Sequence, residues 1–252
     1  MVANFLLTQT REQEYLFRTH RETLAALQKS LGKYIVFSKA KLRDATDEFL
    51  LLGLQGPTAE ETVSTWFGAA PTTRNATHHN DIGFVTRISN EPRFECWIAI
   101  DQAKHVWQTL AEKHTVTGPA FWHWLNIREG MGEIREPTIE EFIPQMLDLQ
   151  RNDGISFTKG CYTGQEIVAR MQYRGTLKKS LYRLSGAGAA PAPSTALLLD
   201  SAEQASGHIV MAESLADNHW EALAVIQHDA VELPLHLANN EPVSLLHLPD
   251  AV

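Results

Sequence analysis

Residues Lys159 to Gly175 read K-G-C-Y-T-G-Q-E-I-V-A-R-M-Q-Y-R-G, and Cys161 is the residue in that run with nucleophilic and metal-seeking chemistry. Thr163 and Glu166 have capping-box spacing: the hydroxyl accepts from the Glu166 amide while the carboxylate reaches back to the Thr163 amide. A helix is therefore expected from Gly164, with Ile167, Val168 and Met171 on one face and Arg170 and Arg174 elsewhere. Gly160 and Gly164 leave room for close backbone approach, and Gly175 suits a helix end with positive φ. Cys161 then lies just before a helix N-terminus and two residues from Lys159, a setting that favours thiolate. A second reading stands beside that one, a packed cysteine in a helix-entry loop. The spacing identifies no histidine base to activate the thiol, as a nucleophile normally requires. Arg170 and Arg174 likewise have two readings, a solvated face or a planar grip on a carboxylate.

Metal chemistry has little to build on. The chain lacks H-E-x-x-H and C-x-x-C, and His78-His79 sits in a polar T-H-H-N-D stretch that reads as a loop. No metal site is expected. The two cysteines, Cys96 and Cys161, fit a reduced compartment. Cys96, inside F-E-C-W-I-A-I, reads as a small buried hydrophobe.

The elements that must position these residues alternate through the first two thirds. Asn4 to Thr8 and Glu14 to Arg18 read as a hairpin, followed by a helix from Arg21 to Leu31 with Leu24, Leu27 and Leu31 on one face. Glu48 to Leu54 is strand-like, Gly56-Pro57 turns, and Thr58 with Glu61 forms a capping box for a helix toward Phe67. Strands Ile82 to Ile88 and Arg93 to Ile100 follow, then a helix capped by Asp101 and carrying Val106 and Leu110. This β-α-β-β-α order predicts an α+β, plait-like sheet with helices on one face. From about Ser180 the run S-G-A-G-A-A-P-A-P-S-T marks a change of character. Ala196 to Leu199, Gly207 to Ala212, Trp220 to Ile226 and Val243 to His247 read as strands of a small β-barrel or sandwich, with Asn239-Asn240 as a turn.

Composition sets the outer bounds. With 252 residues, 44% hydrophobic and 21% charged, the chain can bury a core, as one large domain or two small ones. A net charge of -8 gives no overall field for a polyanion, so direct nucleic-acid binding is not expected. The opening residues do not read as a signal peptide and no apolar run reaches the roughly 20 residues that span a bilayer. The expectation is a cytoplasmic protein without membrane contact.

The segment from Lys159 to Gly175 resembles the signature of the YgfZ family, in particular Lys159, Gly160, Cys161, Tyr162, Gly164, Gln165, Glu166, Arg170 and Gly175. The likeness extends back through Phe142-Ile143-Pro144-Gln145, Leu149-Gln150 and Gly154-Ile155-Ser156-Phe157, to Trp122, Asn126-Ile127 and Gly130, and more weakly to Lys33 to Lys39. It implies a fold similar to the glycine-cleavage aminomethyltransferase, with folate-binding plait domains over 1-178 and a small C-terminal β-barrel over 179-252. It also implies a tetrahydrofolate or derivative as ligand, with Trp122 packed on it and Arg170 or Arg174 near its glutamate tail. The partners it implies are iron-sulfur enzymes, such as a radical enzyme that methylthiolates tRNA.

Two departures accompany the resemblance. The likeness begins after the family's opening stretch, which carries a strand, a segment like F-L-Q-G-Q-x-T and a second folate-contacting aromatic; Met1 is then an internal methionine or the start of a shortened protein. Related proteins also often carry a carboxylate two positions before the glycine that here is Gly130, whereas this chain has Arg128 there and Glu129 next to it. Three functions compete: a folate-dependent factor supporting iron-sulfur enzymes, more an accessory protein than an enzyme with its own turnover; a folate-dependent aminomethyl transferase; and a non-catalytic interaction module with a decayed folate site. The K-G-C-Y-x-G-Q-E signature favours the first over the second.

Overall fold

The computed structural model describes residues 1–157, 159–160, 166, 177–199 and 204–249. They divide into two compact units. One comprises Met1–Phe5, Thr19–Lys33 and Gly118–Val252, the other Leu6–Arg18 and Tyr34–Thr117.

In the second of these, β1 (Leu6–Arg11) and β2 (Glu14–Arg18) form an antiparallel hairpin, with Leu7 opposite Phe17 and Gln9 opposite Tyr15. The segment after it belongs to the other unit: a 3-10 turn at Arg21–Thr23 leads into α1 (Leu24–Ile35), so the helix expected from Arg21 starts three residues late and runs further. The sheet comprises β3 (Phe49–Gln55), β4 (Thr77–Asn80), β5 (Gly83–Arg87) and β6 (Arg93–Ala99) in the order β3-β6-β5-β4, all antiparallel. Helices α2 (Ala59–Phe67) and α3 (Ala103–Lys113) pack on one face. Strand period two explains why: Phe94, Cys96 and Ile98 of β6 point to the same side and join Val63, Phe67, Val106 and Leu110 in one core. The alternate residue Glu95 is buried on the opposite face, where Arg18 of β2 holds it at 3.0 and 2.8 Å.

Three expectations are corrected here. His78 and His79 lie in β4, a largely exposed edge strand, so their polarity reflects an edge and not a loop. Thr58 occupies the N-cap of α2 but its side chain makes no capping hydrogen bond, because its backbone is not extended (φ -97°, ψ 1°). The N-cap of α3 is Gln102, not Asp101, and it too lacks a side-chain cap.

The other unit is built on α4 (Pro119–Arg128) and a six-stranded, nearly closed sheet: β7 (Lys179–Ala187), β8 (Ala196–Leu199), β9 (Gly207–Leu215), β10 (His219–Gln227), β11 (Leu235–His236) and β12 (Ser244–Leu246). Its order is β11-β8-β9-β10-β7-β12. The central strand β10 is buried on both faces. Trp220, Ala222, Ala224 and Ile226 enter one core with Leu184, Leu197 and Ile209, whereas Leu223 and Val225 enter another with Ile127, Ile134, Phe142 and Leu147. Between Leu223 and Ala224 the register to β9 shifts by one residue; this bulge sends the adjacent Val210 and Met211 into the same core. The Asn239-Asn240 turn is present, with Asn240 at φ 63° and its amide on the Leu237 carbonyl at 2.9 Å.

Candidate functional site

Helix α4 carries Trp122, and local sequence explains its limits. Pro119 at the first helical position has a φ suited to helix and no amide to leave unpaired. At the other end Gly130 adopts φ 70°, its amide reaches Ile127 O at 3.2 Å, and Met131 N reaches Asn126 O at 2.8 Å. That pair of bonds is a Schellman closure, which needs a left-handed residue at Gly130. The positions Asn126, Ile127 and Gly130 thus end the helix that holds Trp122.

Leu125, Asn126 and Ile127 are buried, while Trp122, His123 and Trp124 are half-buried. Trp124 is flanked by Phe121, with ring centroids 5.5 Å apart, and by the Arg128 guanidinium 4.9 Å from its ring centroid. Arg128 is therefore a cation over an indole face. The Trp124 indole N–H has no hydrogen-bond partner among the described residues.

Next to Trp122, His123 Nδ1 lies 2.8 Å from Glu213 Oε1 of β9. Glu213 stands directly opposite Glu221 of β10, and like charges so placed repel. Each has its own cation or donor: Arg183 grips Glu221 Oε2 at 2.9 and 2.6 Å, and His123 faces Glu213. A second imidazole, His20, accepts at Nε2 from the Arg135 guanidinium, which leaves the proton on Nδ1, 3.8 Å from Glu22 Oε1. Burial, then the Arg135 charge, holds its pKa below the ordinary imidazole value, with Glu22 and Glu133 opposing and His123 adding a small further lowering. Spacing offered no route to either histidine, since Glu213 is 90 residues from His123 and Arg135 is 115 from His20.

Cys161, Tyr162, Thr163, Gly164, Gln165, Arg170, Arg174 and Gly175 lie outside the described residues, and with them the capping box and the arginine face. Lys159, Gly160 and Glu166 are described and exposed. Cys96 is a free, buried thiol whose pKa is pushed far up by burial, with the Glu95 charge adding to it. Among the described residues no group of three or more His, Cys, Asp or Glu could hold a metal ion, and no helix is long and apolar enough to cross a membrane.

No protein-family model matches the sequence. The tRNA-modifying protein YgfZ of Hamiltonella defensa is 34% identical over 84% of this chain and 65% of its own length. The protein of the same name from Aliivibrio fischeri is 35% identical over 80% of this chain and 62% of its own. That of Photobacterium profundum is 32% identical over 92% of this chain and 70% of its own length. The chain thus spans about two thirds of the length of these curated relatives. Among solved structures, the glycine cleavage system aminomethyltransferase T from Bartonella henselae matches with a TM-score of 0.68 over 99% of this chain and 72% of that one, at 15% identity, a likeness of fold. With a relative 32% identical across 70% of its own length, on an α+β fold similar to aminomethyltransferase T, the chain belongs to the YgfZ family.

Proposed function

We propose that this chain binds a reduced folate, tetrahydrofolate or a derivative, and in that form supports iron-sulfur enzymes, among them a radical enzyme that methylthiolates tRNA. The observation that carries the ligand reading is α4: a half-buried Trp122 on a helix closed at Gly130, beside an imidazole anchored by a carboxylate. An amphipathic ring so held can pack against a flat heterocycle and keep one edge toward water. Arg170 or Arg174 meets the glutamate tail in this reading, and Cys161 in the Lys159 to Gly175 motif is its functional thiol.

The tRNA connection is supported by the name of the relatives, tRNA-modifying protein. It acts here through a partner enzyme, because a chain of net charge -8 has no overall field to hold a polyanion. A role as a cluster carrier is not favoured: one chain with two cysteines cannot supply four thiolate ligands.

The ligand reading is tested by titrating the protein with tetrahydrofolate, following tryptophan fluorescence and heat. The expected result is saturable binding that weakens about ten-fold or more in Trp122→Leu, the scale of a lost aromatic contact. A wild-type protein that shows neither signal does not bind folate. A second reading, a folate-dependent aminomethyl transferase, draws on the fold shared with aminomethyltransferase T. Fold alone does not fix chemistry, and turnover of an aminomethyl donor separates the two. The third, an interaction module without ligand, requires support of the partner enzyme in a protein that binds no folate.

A further inference from the structure

We propose that residues 39–43 form an open pairing edge that takes up an extended, acidic stretch of a partner protein as an added β-strand. The segment lies between α1 and β3, and every residue over 36–44 is exposed. Residues 40–45 belong to no helix, strand or turn, and the backbone amides and carbonyls of Lys39, Ala40, Lys41 and Leu42 have no hydrogen-bond partner among the described residues. Such a row of free backbone groups is a template for a second chain. The sequence K-A-K-L-R alternates, so pairing as a strand places Lys39, Lys41 and Arg43 on one face and Ala40 and Leu42 on the other. Lys39 and Lys41 have no ion-pair partner among the described residues, whereas Arg43 grips Glu48, and Asp44 accepts from the Thr46 amide and hydroxyl at 2.9 and 2.6 Å. Just before them Phe37 is 98% and Val36 70% exposed, apolar surface of the kind that marks a contact site.

Charge and backbone together select the occupant. The phosphates of RNA or of an anionic lipid can meet the lysines, but their oxygens only accept, and they leave the carbonyls of the segment unmatched. Another backbone offers donors and acceptors in the alternating order that the segment itself presents. A second copy of this chain pairing edge to edge sets lysine against lysine, and like charges directly opposite repel. Lysine on an open edge is a common block to self-pairing for that reason. A strand with Asp or Glu at alternate positions instead opposes Lys39 and Lys41, and apolar residues between them meet Ala40 and Leu42. The partner is therefore a protein that presents an acidic, alternating strand.

The test uses the full chain and a short peptide of alternating Glu and Val, capped at both ends, followed by fluorescence anisotropy and by amide deuterium uptake. Binding is expected to slow exchange at Lys39, Ala40, Lys41 and Leu42 about ten-fold or more and to leave other segments unchanged. The same peptide with Lys in place of Glu is expected to bind about ten-fold more weakly, and the double variant Lys39→Glu, Lys41→Glu to invert that preference. Both lysines are exposed, so the variant keeps the fold, and unchanged exchange elsewhere checks it. N-methylation of every peptide amide is expected to abolish binding, since it removes the ladder donors and keeps the charges. Equal binding by the N-methylated peptide, equal binding by the Glu and Lys peptides, or no protection at these four amides overturns the inference. So does protection that appears with rising protein concentration alone, which makes the occupant a second copy, or protection given by oligouridylate and not by the peptide. All of these readouts are independent of folate binding.

Discussion

The two thiols of the chain have opposite fates if the helix-entry reading of Cys161 holds. Cys96 is 1% exposed within β6, and desolvation raises its pKa so far that essentially no thiolate forms at neutral pH. Timed alkylation of the folded protein, mapped by mass spectrometry, is expected to label Cys161 first and leave Cys96 unmodified until denaturant is added. Early labelling of Cys96 would contradict its placement in the core. His20 yields a pH dependence whose sign is fixed by its neighbours. Its folded pKa lies below the unfolded value, so its contribution to stability is complete above about 6.5 and is lost as pH falls below that toward the folded value, where the unfolded chain holds more protons. The melting temperature of wild type should therefore fall more steeply below that pH than that of His20→Gln; parallel curves would remove His20 from the account. The Cys96 burial was readable from an apolar strand pattern, whereas the His20 environment was not, because its partner Arg135 arrives from another part of the chain.

Among the elements, β8 and the Asn239-Asn240 turn were legible because apolar run and turn residues coincide there. Strand β4 was not: T-H-H-N is polar, and only pairing with β5 makes it a strand. Strand β7 was hidden by the Gly- and Ala-rich composition around Gly186, and the structure gives that glycine a packing reason. A Cβ built there would stand 2.3 Å from the Trp220 ring, whose indole N–H donates to the Ala187 carbonyl at 3.0 Å. The residue that reads as a strand breaker is what lets β7 approach the largest buried side chain of β10. Gly186→Ala is expected to destabilise by about 1–3 kcal/mol through overpacking, measured by chemical denaturation. A variant as stable as wild type would mean that Trp220 can move aside.

For the molecule as a whole, an α+β chain with a barrel-like C-terminal sheet could be read from patterning, and the likeness to aminomethyltransferase T agrees. Proximity was beyond such a reading: β9 brings Glu213 to His123 only because the bulge at Val210 and the strand order set its face toward α4. The functional proposal is testable in a cell lacking its own homologue. Cys161→Ser is expected to abolish support of tRNA methylthiolation at matched soluble levels while folate binding stays within about three-fold, since a hydroxyl cannot become a thiolate-like anion near neutral pH. Full rescue by the serine variant would return Cys161 to a packing role. Finally, β10 hydrogen-bonds to β9 on one side and β7 on the other and belongs to two cores at once, so no local opening can release it. Its amides from Ala222 to Val225 should be the last in that unit to take up deuterium, at a rate that reports cooperative unfolding of both cores together.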